Sequence, residues 1–201
     1  MKRTVLAGLL ALALLPASVR AEDINAIFKK VNDLIAAKNY SKALEELGWA
    51  QKELEKMNIT QVQSFFPDSL AGFTGSKFEA NSALGMTNIE REYSKGSEQI
   101  KIALSGSSAG GAGAGGLGGL AAFGRMAAMM GGGQGQDTFR ISGRTASLQN
   151  ADGGSPQLQV FLDSGSVLTL EGQNGTTGDS LKSVAEALKI NELDNYLRGQ
   201  S

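Results

Sequence analysis

The chain contains no histidine and no cysteine in its 201 residues. Without histidine it lacks the commonest general base, the commonest metal ligand and any Ser-His-Asp arrangement. Without cysteine it lacks thiol nucleophiles, disulfides and zinc-thiolate sites. A serine–lysine nucleophile needs a serine three residues before a lysine, and Thr74-Gly75-Ser76-Lys77 is the nearest imitation. Carboxylates at Glu45-Glu46, Glu53 and Glu55, and Glu90-Arg91-Glu92 could act as acid and base. They sit in patterns expected of solvated faces, and a working pair needs environments that push its two pKa values apart.

Two further motifs invite chemistry and lack its context. Gly113-Ala114-Gly115-Gly116-Leu117-Gly118 spells G-x-G-x-x-G, with Asp137 downstream. Dinucleotide binding requires that turn directly after a strand, a helix receiving the pyrophosphate, and an acidic residue closing the next strand. Here the preceding strand ends near Leu104 and Asp137 comes before a strand. Met126, Met129 and Met130 offer thioethers of the kind that hold Cu(I), without a neighbouring histidine, cysteine or longer methionine series. Their alternative role is adaptable apolar filling. The expectation is therefore a non-enzymatic protein with no cofactor and no metal, a hydrolase-like enzyme being the alternative if carboxylates or a lysine converge in one cleft.

What stands out instead is physical. Thirteen of the chain's 27 glycines fall in 105–136, where two glycine tracts flank an apolar kernel. Residues 117–130 have the composition of a short helix, apolar nearly all round, with Arg125 its sole charge. Such a helix must be buried against something, and 14 residues are too few to span a bilayer, which takes about 20. Leu117, Leu120, Phe123, Met126 and Met130 are the candidate ligand- or partner-contacting residues. They line or cover a cavity if the protein carries a small apolar ligand or lipid, and they form a contact if it binds another protein.

The elements around that insertion follow from the amino terminus onward. Lys2 and Arg3 precede an apolar run over 5–15, Pro16 breaks it, and Val19-Arg20-Ala21 fits a small-x-small cleavage site. This predicts a signal peptide, 1–21, cleaved after Ala21, and a soluble periplasmic protein. Cleavage changes 19 basic and 20 acidic residues to 16 and 20, a net charge of −4. That excess is acidic, so neither nucleic acid nor an anionic membrane is an implied partner; no membrane span is expected.

Residues 22–58 read as a helical hairpin. Ile24, Ile27, Phe28, Val31, Leu34 and Ile35 recur at helical spacing after Asp23, a candidate N-cap, and a break at Lys38-Asn39-Tyr40 leads to a second helix over 41–57. Its stripe is Leu44, Leu47, Leu54 and Met57, with Ser41 as the expected cap. So short a loop implies an antiparallel αα-hairpin. The run AAKNYSKALEELGWAQKEL, with Tyr40 and Ala43 in their places, resembles the middle of a tetratricopeptide repeat. That likeness implies a helix pair that packs on a neighbour or presents a peptide-binding surface.

Over 59–201 the helical period gives way to strand alternation. A strand is expected over 72–79 and another over 86–93, with Ile89, Arg91 and Tyr93 on one face. A turn at 94–97 follows, then Ile100, Ile102 and Leu104 on one face. Beyond the insertion, alternating runs near Phe139, Leu148, Leu158 to Leu162 and Val167 to Leu170 form a meander. Asp179 or Ser180 caps a helix carrying Leu181, Val184, Ala185 and Leu188, and 190–197 adds a short last helix. In this order of elements the region resembles secreted PsbP-like domains, which implies a sheet closed by a helix and no particular function.

The expected fold class is thus α+β: an N-terminal antiparallel αα-hairpin, then a mostly antiparallel sheet covered by a C-terminal helix, with a Gly-rich insertion carrying a short apolar helix. The expected function is a non-catalytic periplasmic binding or adaptor protein of the cell envelope, whose partner is an envelope protein or, alternatively, a small apolar ligand.

Overall fold

The computed structural model describes residues 23–83, 86–107, 136–149 and 154–200. The expected signal peptide, the G-x-G-x-x-G run and the 117–130 helix with Leu117, Leu120, Phe123, Met126 and Met130 lie outside the described residues. The chain divides into two compact units, Met1–Met57 and Asn58–Ser201.

In the first unit, α1 (Ile24–Ala36) starts at Asp23, whose carboxylate accepts from the Asn25 amide at 3.0 Å. That bond satisfies one of the amides a helix start leaves without a partner. The helix stops where Lys38 adopts φ 57° and the Lys38 and Asn39 amides fold back onto the carbonyls of Ile35 and Leu34. α2 (Tyr40–Gln63) then begins one residue earlier than its spacing indicates. Asn39, not Ser41, faces its first turn, accepting from the Lys42 amide at 3.4 Å. The buried apolar residues of the hairpin are Ile27 and Val31 on α1 and Ala43 and Ala50 on α2. Lys30 Nζ meets Glu46 Oε1 across the pair.

α2 runs to Gln63, past the expected end at Met57. Nothing from 58 to 63 breaks a helix, and Val62, with Phe65 and Phe66 just beyond the helix end, is buried in the core of the second unit. The apolar period weakens there because that burial is shared with distant strands.

The second unit is a sheet of nine strands among the described residues, all paired antiparallel: β1 (Ser69–Leu70), β2 (Phe73–Gly75), β3 (Glu79–Ala83), β4 (Met86–Lys95), β5 (Glu98–Ser107), β6 (Gln136–Ile141), β7 (Arg144–Gln149), β8 (Gln157–Phe161) and β9 (Val167–Gln173). Their order is β1-β2-β4-β5-β9-β8-β7-β6, with β3 also on β4. The expected single strand over 72–79 is divided: β2 pairs with Tyr93 and Ser94, β3 pairs with Met86 to Glu90, and Arg91 and Glu92 lie opposite the gap.

Two-residue turns fix the hairpin registers. Gly96 takes φ 61° between β4 and β5, and Ser142 and Gly143 take φ 49° and 78° between β6 and β7, the backbone that tight hairpins need. β5 then pairs with β9 over seven residues, Gln99 to Ser105. This joins the first hairpin to the four-strand meander.

α3 (Gly178–Ala187) and α4 (Ile190–Leu197) complete the unit. Thr177, rather than Asp179 or Ser180, caps α3 by accepting from the Ser180 amide at 3.2 Å, while Asp179 lies in the first turn, where the helix dipole favours an acid. Leu181, Val184 and Ala185 of α3 pack on β8 and β9. The covered sheet face carries Ile89, Ile100, Ile102, Leu158, Val160, Leu168 and Leu170, all at most 2 % exposed. Its other face is polar, with Glu90, Lys101, Gln157, Gln159, Thr169 and Glu171 partly exposed. A sheet covered on one side and solvated on the other needs this alternation. The protein is therefore α+β. No helix among the described residues is long and apolar enough to cross a membrane.

Candidate functional site

Two buried charges in the second unit are the first places to look for chemistry. Arg91 is 6 % exposed on the core face of β4. Its Nε donates to the Ser76 carbonyl at 2.9 Å, and its two other nitrogens reach the Phe66 carbonyl and the Asp68 carboxylate. The gap between β2 and β3 makes room for this guanidinium: a Cβ on Gly75 would lie 2.7 Å from Arg91 Nε. Beside it Tyr93 donates its hydroxyl to the Pro67 carbonyl at 3.0 Å. Burial pushes the Tyr93 phenol up to about 12, against the opposing effect of the nearby Arg91 charge. The cluster pins the 66–68 corner onto β4.

Asp194 is the second such charge, fully buried on α4. One oxygen accepts from the Ser164 amide at 2.8 Å, and the other accepts from Arg144 Nε at 2.7 Å and the Asp163 amide at 3.1 Å. Burial alone would raise this carboxyl's pKa. The Ser164 amide, Arg144 and the Asp163 amide together outweigh it and hold the group below the ordinary aspartate value. Both oxygens are engaged in tying α4 to the β8–β9 turn and the start of β7, so Asp194 is a structural anchor.

Of the carboxylates that the spacing singles out, Glu46, Glu53 and Glu90 pair with Lys30, Lys56 and Lys101. Glu90 takes Lys101 at 2.8 Å and an Asn88 amide at 2.8 Å. The Lys101 contact, then the Asn88 contact, lower the Glu90 pKa, and the same contact raises that of Lys101. Ser76 donates to the Lys77 carbonyl at 3.4 Å instead of facing a lysine amine. No group of three acids among the described residues is arranged to hold a metal ion. A hollow of about 170 Å³ lined by Ser76, Lys77, Glu79, Glu90, Arg91 and Glu92, and one of about 390 Å³ beside Phe65 and Tyr196, are both open to solvent.

The feature that asks for a partner lies on the hairpin. Phe28, Ile35, Tyr40, Leu44, Leu47 and Leu54 are 40–69 % exposed, Leu44 the most. At about 100° per residue, Tyr40, Leu44, Leu47 and Leu54 share one arc of α2, roughly a quarter-turn from the Ala43 and Ala50 arc that meets α1. Phe28 and Ile35 are offset in the matching sense on α1. In an antiparallel pair these two offsets point to the same side, so the six side chains form one apolar face. The Lys30–Glu46 ion pair and Trp49, which lies under Lys52 Nζ at 4.6 Å, are on the opposite side.

No family model, curated protein or solved structure matches the chain.

The leucine stripe is visible in the sequence, yet its direction is not what the spacing alone indicates. Small residues at 43 and 50 let the helices approach, and the leucines between them turn outward. The signal was the pair of alanines seven residues apart: a helix contact made by alanines leaves larger neighbours on the flank. The set at 117–130 lies outside the described residues.

Proposed function

We propose that this protein is a non-catalytic binding or adaptor protein of the cell envelope, exported to the periplasm, with the apolar face of the αα-hairpin as its contact surface. One observation carries the reading: Leu44, at the middle of that face, is 69 % exposed, with Ile35 and Leu54 close to half exposed around it. Exposed apolar side chains scattered singly are ordinary, but a contiguous set of several hundred Å² marks an interaction site. The absence of histidine and cysteine and the engagement of both Asp194 oxygens by the chain itself support a role without catalysis. The likeness of 36–54 to a tetratricopeptide unit fits the same reading, with Ala43 buried.

The test is a photo-crosslinking residue at position 44, and separately at 49, in the full chain expressed in its native host. Covalent adducts to an identified envelope protein or to the chain itself from position 44, and none from 49, are expected. Equal labelling from both positions, or none, defeats the reading. Amino-terminal sequencing of the same material should begin at Glu22; a retained leader would remove the periplasmic assignment.

A further inference from the structure

We infer that the occupant of the hairpin's apolar face is a second copy of this chain, related by a two-fold axis, so that α1 and α2 of two molecules form a four-helix contact. The inference rests on the reading of that face as a docking surface and names its partner. The area of the face favours self-association.

The rim of the face is polar. Helical geometry places Asn25 and Asn32 along its α1 edge and Ser41, Gly48, Gln51 and Glu55 along its α2 edge, Glu55 accepting from the Gln51 amide at 2.9 Å, while Lys52 carries its amine over Trp49. An anionic membrane wants an excess of Lys and Arg flanking the apolar face, which this rim does not offer.

Six large side chains at 40–69 % exposure present on the order of 500 Å² of apolar surface, taking 150–250 Å² for a bare large side chain. Homodimer interfaces are roughly 65 % apolar, so such a patch corresponds to about 800 Å² per copy, the amount a standard stable interface buries on each partner.

Sedimentation equilibrium on the purified full chain, freed of its leader, tests this. The wild type is expected at twice the monomer mass at micromolar concentration. Leu44→Glu should weaken association by about tenfold or more with an unchanged circular dichroism spectrum, and Trp49→Glu on the far face should leave it intact. The chain has no cysteine, so a single Leu47→Cys gives a clean second measurement: a short bismaleimide should yield covalent dimer, and Trp49→Cys should not. A monomeric wild type at about 100 µM, or a dimer indifferent to Leu44→Glu and not linked through position 47, overturns the inference. A monomer that still crosslinks from position 44 to a different envelope protein overturns self-association while the binding reading stands. A monomer without any crosslink defeats both.

Discussion

The Asp194 carboxylate lies 2.7 Å from Arg144 Nε, fifty residues earlier in the chain, with no exposure of Asp194 to solvent. Each group is costly to bury alone, and each is satisfied here by the other and by the turn at 163–164. The contact locks the last helix to two strand ends at once.

Replacing Asp194 with Asn tests that lock. An amide has one acceptor oxygen, so its NH₂ must face either the Ser164 amide or the Arg144 side, and the cost should be about 3 kcal/mol in urea unfolding at pH 7. The wild-type pKa is lowered on folding, so this stabilisation is present above about pH 4, the unfolded aspartate value, and lost as pH falls through the lower folded value. The variant should therefore show a flatter stability profile as the pH falls below about 4. A cost below about 1 kcal/mol at neutral pH would contradict the anchoring role.

Tyr93 predicts the opposite limb. Its phenol ionises near 12 in the folded chain and near 10 when unfolded. The folded state thus holds the proton more tightly, and stability is full below about pH 10 and declines by about 2 kcal/mol as pH approaches 12. Tyr93→Phe should cost about 1 kcal/mol at pH 7 through loss of the bond to the Pro67 carbonyl. It should also remove most of this alkaline decline. Parallel alkaline profiles for the two proteins would refute the assignment.

Two glycine substitutions should move stability in opposite directions. In Gly75→Ala the new methyl lies 2.7 Å from Arg91 Nε and 2.9 Å from its Cζ. The guanidinium cannot retreat without leaving Ser76, Phe66 or Asp68, so a loss of about 2 kcal/mol is expected. Gly48 lies inside α2, and a Cβ added there would meet nothing within 4 Å. There Ala should stabilise by about 0.5–1 kcal/mol through helix propensity. Thermal melts of both variants decide the matter, and a destabilised Gly48→Ala would show that this edge of the helix is packed in solution.

Where the physics was local, the elements could be read from residue order. Asp23 before an apolar three-and-four period starts α1 as its spacing says. Ile89, Arg91 and Tyr93, then Ile100, Ile102 and Leu104, alternate because a strand turns successive side chains to opposite faces. The division of β2 from β3 could not be read, because it depends on Arg91 entering the gap from the neighbouring strand. The last turns of α2 were equally hidden, since Val62 on the helix, with Phe65 and Phe66 just past its end, is rewarded by burial against residues far along the chain.

For the candidate site the same division holds. The stripe of Leu44, Leu47 and Leu54, the lack of histidine and cysteine, and the α+β order of elements follow from the sequence by itself, because composition and periodicity act at short range. Which face of α2 meets α1, which charges are buried, and that β5 joins β9 were decided by tertiary structure. The reason is the same in each case: an apolar period names a face but not its partner, and the partner is chosen by close packing, where Ala43 and Ala50 win the helix contact and leave Leu44 in water.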